Sequence, residues 1–177
     1  MAINGPSSYL STTDAFLAHW EQANAAAAPA GVTLRGGVDI DELSDLRDDL
    51  DDKRTTLSAK LNEREFVRGD IRTLAAELTQ RLDQFNGRVR VLFPEGSRFV
   101  NALPKVPNPE SAAEKVITPL TDAENIWENI EAAGTTISLV DNYLLATFKA
   151  DIVKLKDSYK AYARAVTEEK LARGARN

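Results

Sequence analysis

The residues from Val38 to Phe93 include no proline, and this constrains the chain more than any other feature. Apolar residues recur along the stretch at alternating spacings of three and four, as in a helix that presents one seam to a partner helix. The seam runs from Ile40 to Leu92 and predicts one long helix over about 39–92. At about 1.5 Å per residue such a helix would be on the order of 75 Å long, which predicts an elongated molecule.

Every polar interruption of this seam is an arginine: Arg47, Arg54, Arg64 and Arg68. Charged residues at the core positions of a coiled coil lower stability and restrict register and partner number. One interpretation is that the aliphatic stems pack while the charged ends reach solvent. The other is that Arg47 and Arg54 face Tyr159, Tyr162 or carboxylates and thereby select one pairing of the long helices.

The weak point of the long helix is the segment NGRVRVLF at 86–93. Asn86-Gly87 could end the helix, and the following valines alternate with arginines as in a strand. However, the seam continues in register through Leu92, and one glycine inside a helix costs only about 1 kcal/mol. We therefore expect the helix to continue.

The rest of the chain predicts three further helices. A short helix at about 13–27 starts at Thr12 and Thr13, and a long coiled-coil helix spans about 142–173. Five prolines and one glycine lie in 94–119, which predicts a linker with at most one helical turn at 97–103 and a helical segment that Pro119 interrupts. A capping box at Thr121 and Glu124 then opens a second short helix that closes at Gly134.

Two similar heptapeptides, EREFVRG at 63–69 and EEKLARG at 168–174, point to an internal repeat of 12–69 and 120–174. A shift of 105 residues superimposes them and aligns VTL at 32–34 with ISL at 137–139, and Gly36-Gly37 with Asp141-Asn142. Since 105 is a multiple of seven, heptad helices would match at this shift by chance. The shared order of features outside the heptads, including a Trp-Glu pair upstream, favours a duplication.

These patterns predict an all-α fold, an elongated coiled coil or helical bundle that forms a single domain over 1–177. Two long helices are each preceded by a shorter helix and an extended turn. If the repeat is real, the extended pieces around Thr33 and Ser138 could pair as a small β-bridge.

Composition excludes several kinds of chemistry. The net charge of −5 gives no general attraction for phosphate backbones, so nucleic acid is not expected as a partner. The absence of cysteine removes thiol nucleophiles and thiolate metal sites, and the one histidine, His19, is expected to be a surface or packed residue. No apolar stretch is long enough for a membrane span, and we expect a cytoplasmic protein without cofactor or metal.

Charge is distributed unevenly along the chain. Residues 39–52 contain eight acidic residues and one arginine, but they lack the glycine and final glutamate of an EF-hand loop, so a solvated acidic face is expected. Residues 149–176 contain eight basic and four acidic residues. We expect these oppositely charged faces to meet, within the chain or between subunits.

The leading functional hypothesis is a structural or scaffolding protein, not an enzyme, that forms homo-oligomers through its coiled-coil seams. The alternatives are a helical adaptor for another protein and an enzyme that uses carboxylates. The part of the long helix beyond Gly69 has no counterpart in the second copy, so its seam must be covered by the linker, a short helix or another subunit. The predicted partner-binding residues are therefore the seam arginines and this apolar stretch: Arg47, Arg54, Arg64, Arg68, Ile71, Leu78, Leu82 and Phe85.

Overall fold

The computed structural model describes residues 8–176, with side chains through residue 174, and confirms an all-α, bundle-like fold. The α-helices, in chain order, are α1 (Tyr9–Ala27), α2 (Ile40–Leu92), α3 (Arg98–Asn101), α4 (Ala113–Ala132) and α5 (Leu145–Arg176). A 3-10 turn, Val140–Asn142, precedes α5. The described residues contain no β-sheet.

Helix α2 runs without interruption through Asn86 and Gly87, as the seam predicted. Phe85 and Val89, on either side of the glycine, are both fully buried. Full burial of such side chains contributes about 1.5–3 kcal/mol each, whereas a glycine in a helix costs about 1 kcal/mol. Burial therefore outweighs the local tendency to end the helix.

Helix α4 contradicts the predicted interruption at Pro119, because the proline lies inside one continuous helix. Val116, Leu120 and Trp127 form an apolar face across it and are fully buried. Proline costs about 3 kcal/mol in a helix, and burying three such side chains more than offsets this. Thr121 is consequently not an N-cap, and its buried hydroxyl has no hydrogen-bond partner among the described residues.

Helix α1 begins at Tyr9, four residues before the predicted start. The hydroxyl of Thr13 donates to the carbonyl of Tyr9 at 2.9 Å, so it bonds back into the helix and does not cap a first turn. Helix α5 starts at Leu145, three residues later than predicted, because Asp141 and Asn142 adopt left-handed backbone conformations.

The described chain divides into two compact units. Unit 1 comprises residues 8–61 and 168–176, and unit 2 comprises residues 62–167. Helices α2 and α5 contribute residues to both units, and the single domain expected from the sequence stays a prediction.

Unit 2 has a continuous apolar core formed by α2, α3, α4, the turn before α5, and α5 itself. At its centre the ring of Trp127 stacks on that of Phe85, with centroids 4.9 Å apart, and lies 5.6 Å from that of Phe148. Aromatic pairs of this geometry add about 0.5–1.5 kcal/mol beyond the burial of their surface.

Unit 1 has a much smaller interior. Among its described residues, Trp20 and Leu57 are the apolar side chains that are buried. The indole nitrogen of Trp20 donates to the carbonyl of Val32 at 2.9 Å, which holds the segment after α1 against that helix. Lys60 and Glu168 form an ion pair at 2.6 Å between α2 and α5.

The predicted β-bridge forms with a different partner. Within the described residues the isolated bridge joins Leu139 to Tyr143, inside the turn before α5. Residues 31–34, the expected partner strand, form no bridge, and the amide of Leu34 donates to the carbonyl of Val38 at 2.9 Å.

Candidate functional site

The four apolar residues predicted to bind a partner lie in the core of unit 2. Ile71, Leu78, Leu82 and Phe85 are all buried there. Helices α4 and α5 and the turn between them provide the cover that the sequence analysis left open. A surface for a partner must therefore be sought elsewhere in the molecule.

Arg47 faces carboxylates of α1 and of its own helix, and its predicted role in selecting one pairing of the long helices stays a prediction. Its Nε donates to Asp14 on α1 at 2.8 Å, and its Nη1 lies 2.9 Å from Asp48 and 3.7 Å from Asp51. The hydrogen bonds to Asp14 and Asp48 raise the pKa of the Arg47 guanidinium. This residue joins α1 to α2 within unit 1.

The other seam arginines make different contacts. Arg64 contacts its neighbour Glu65 at 2.6 Å, and this bond lowers the pKa of the Glu65 carboxyl. Arg68 reaches the same carboxylate only at 3.6 Å and is exposed. Arg54 is half-buried and has no ion pair with any residue in the described range.

Arg68 and Ile71 also line a shallow cavity of about 500 Å³ in unit 2. The opposite walls are Tyr159 and Tyr162 of α5 and the segment 109–113. Burial raises the pKa of the Tyr159 hydroxyl, and Glu110 on the rim pairs with Arg72 at 3.0 Å. The charges at the rim are thus mostly compensated within the cavity.

The two turns that the proposed repeat aligns share a backbone hydrogen bond and a pair of positive φ angles. In the first, the amide of Leu34 donates to the carbonyl of Val38 at 2.9 Å; in the second, Leu139 donates to Tyr143 at 2.9 Å. Gly36 and Gly37 have positive φ angles, as do Asp141 and Asn142. A turn with these two features therefore precedes each long helix, but only the second turn includes a β-bridge, and the repeat itself stays a prediction.

Side chains at the aligned positions nevertheless differ in burial. Ile137 and Leu139 are 0% and 7% exposed, whereas their counterparts Val32 and Leu34 are 39% and 40% exposed. The contrast continues along the helices. The buried residues of α5 are Leu145, Phe148, Ile152 and Leu155. The residues of α2 aligned with them are only half-buried: Ile40, Leu43, Arg47 and Leu50.

This contrast has a simple physical cause. In unit 2 the apolar seam of α2 packs in the same core as residues 137–155. Unit 1 includes no comparable third apolar helix face among its described residues. Six large apolar side chains are exposed in the described part of unit 1, and we call four of them, Phe16, Val32, Leu34 and Leu46, the open face.

Titratable groups show no obvious catalytic constellation in the described residues. Glu169 is the buried carboxylate, and Arg173 pairs with it at 2.6 Å. No group of three or more His, Asp or Glu side chains there is arranged to hold a metal ion, and His19 is exposed. No helix within residues 8–176 is long and apolar enough to cross a membrane.

The acidic run at 39–52 makes its ion pairs inside α2. Asp48 and Asp51 contact Arg47, and Asp49 contacts Lys53 at 2.8 Å. In α5, Lys154 and Lys160 likewise pair with acids of their own helix. These local pairs do not test the predicted contact between the acidic residues 39–52 and the basic residues 149–176. Glu42 and Asp45 have no ion pair in the described chain.

No protein family matches the chain, and no curated protein or solved structure is detectably similar to it. A function can therefore be inferred only from the surfaces of the molecule itself.

The open face is the feature that sequence reasoning missed. The sequence predicted that the apolar seam of α2 is uncovered after Gly69, but the more exposed side chains of the seam lie before residue 61. A signal was present, because the aligned triplets VTL and ISL have the same apolar pattern while only the second is followed by an unbroken apolar seam.

Proposed function

We propose that this protein is a structural or scaffolding protein that self-associates through the open face of unit 1. The observation that carries the proposal is the unequal burial of two turns that share a backbone hydrogen bond and a pair of positive φ angles. Ile137 and Leu139 of the second turn are buried, whereas the aligned Val32 and Leu34 of the first turn are exposed to water. A second subunit would supply the missing cover.

The energy available from this face fits a weak, concentration-dependent contact. Full burial of one large apolar side chain contributes about 1.5–3 kcal/mol, and the four open-face side chains are already roughly half covered. Covering the remainder contributes about 1 kcal/mol each, or about 4 kcal/mol in total, before the cost of association is subtracted. Ion pairs and the half-buried seam of α2 must contribute the rest.

Light scattering over protein concentrations from about 1 µM to about 1 mM tests the proposal. Dissociation constants of about 1 µM and about 1 mM correspond to association free energies of about −8 and about −4 kcal/mol, so the range covers a weak contact. We expect the average mass to rise above that of one chain. Leu34→Glu should reduce the rise, since it places a charge on the open face. Val106→Glu is the matched control, because Val106 is similarly exposed but lies in the linker of unit 2.

A mass that stays at one chain over the whole range would contradict self-association. It would favour instead the adaptor hypothesis, in which the open face receives a different protein.

A further inference from the structure

The geometry points to a groove on unit 2 of a second copy as the partner of the open face, so that copies join head to tail. This inference rests on the proposed self-association and adds the identity of the receiving surface. The segment that enters the groove is the acidic start of α2, with Leu46 at its centre.

The receiving groove has a volume of about 480 Å³ and lies beside the C-terminal part of α2. Gln84, Gly87, Arg88 and Val91 share one helix face at spacings of three and four, and the turn at 138–140 forms the other wall. Gly87 leaves the floor open, since a Cβ there would meet no atom within 4 Å.

Two exposed valines make this groove apolar. Val91 is 78% exposed and Val140 is 59% exposed, although both adjoin residues of the unit 2 core. Arg88 lines the groove and Arg90 lies beside it on α2, and neither forms an ion pair with a described residue. Arg81 donates to the carbonyl of Val140 at 3.1 Å and lies 3.7 Å from Asp141. With Asp83, these five charged residues have a net charge of +1, so the surface combines an apolar centre with a slight positive charge.

The start of α2 has the complementary chemistry. Leu46 is 57% exposed, with Glu42 one turn before it and Asp49 one turn after it. Residues 39–52 have a net charge of −7, against +1 for residues 81–92 and 138–141 together. An acidic helix with one protruding leucine fits a groove lined by two valines and Arg88.

Charge also decides between the two ways in which copies could join. A two-fold contact centred on Leu46 would bring two acidic runs of −7 together, and like charges at an interface oppose association. A contact between the acidic run and the Arg88 groove avoids this repulsion. Such a head-to-tail contact leaves one free surface at each end, so it extends into a ring or a filament.

A mixing experiment with the full chain tests the inference. Leu46→Glu removes the inserted side chain, and Val91→Glu places a negative charge in the groove; both positions are exposed, so folding should be retained and can be checked by circular dichroism. Each variant alone should remain monomeric at concentrations where the wild type associates. An equimolar mixture should form a heterodimer of twice the chain mass and nothing larger, because one intact leucine meets one intact groove.

Val153→Glu is the matched control, since Val153 is an exposed valine outside both surfaces, and it should associate like the wild type. Added salt should weaken the heterodimer. If the wild type associates but Val91→Glu associates equally well, or the mixture stays monomeric, the groove is not the partner surface, although self-association stands. A wild type that remains monomeric overturns self-association and the groove together.

Discussion

The surroundings of Tyr143 change the chemistry of its hydroxyl group. Its hydroxyl donates to Asp151 at 2.7 Å, and the guanidinium of Arg81 lies 4.6 Å from the centre of its ring. Burial and the hydrogen bond to Asp151 raise the pKa of the Tyr143 hydroxyl above its usual value. Because this hydroxyl belongs to the turn before α5, its proton is linked to the stability of unit 2.

Tyr143→Phe should therefore alter the alkaline limb of the stability profile. A raised pKa in the folded state means that the stabilisation is fully present below about pH 10, the ordinary tyrosine value, and is lost as the pH rises further. We expect the difference in free energy of unfolding between wild type and Tyr143→Phe, measured with urea, to shrink above that pH. Asp151→Asn should weaken the effect without removing it, because burial remains. A difference that is constant with pH would contradict this assignment.

Single residues also mark the limit of sequence-based reasoning. Asn86 is buried, and its amide donates to the carbonyl of Pro104 at 2.9 Å, so it anchors the linker to α2. From the sequence, Asn86-Gly87 indicated only a point where the helix could end. The reason that it does not end is a carbonyl 18 residues away in the chain, and no local pattern reports that contact.

Helices are the scale at which the sequence was most informative. The extent of α2 followed from the spacing of its apolar residues, because one side of a helix repeats every 3.6 residues whatever it packs against. The same pattern does not indicate which half of α2 is covered by other helices. Leu43 and Leu50 occupy the same seam as Leu78 and Leu82, yet only the second pair is buried.

The glycines of α2 provide a prediction for the helix as a whole. Gly69 and Gly87 have helical backbone and space for a Cβ, so Gly69→Ala and Gly87→Ala should each raise the free energy of unfolding by up to about 1 kcal/mol. Gly36→Ala is the contrasting control and should destabilise, because Gly36 has a φ of 103°. Urea unfolding of the dilute protein measures all three. Loss of stability in both helix variants would mean that these glycines are needed for packing.

Across the whole molecule, the two units differ in how completely they are packed. Unit 2 buries the apolar seams of α2, α4 and α5 in one core, whereas the described part of unit 1 buries few apolar side chains and joins α1 to α2 through the ion pair of Arg47 and Asp14. The sequence predicted two similar helical arrangements, and the matched turns fit that expectation. It could not indicate that only one arrangement finds a third helix face within its own chain.

Hydrogen exchange of the wild-type protein at low and high concentration tests the central claim most directly, namely that unit 1 is completed by a second copy. Amides that are covered by association exchange more slowly, and amides in an already closed core do not change. We predict that residues 40–57 gain protection as the concentration rises, while α4 exchanges at the same rate throughout. Equal protection of residues 40–57 at both concentrations would contradict the claim.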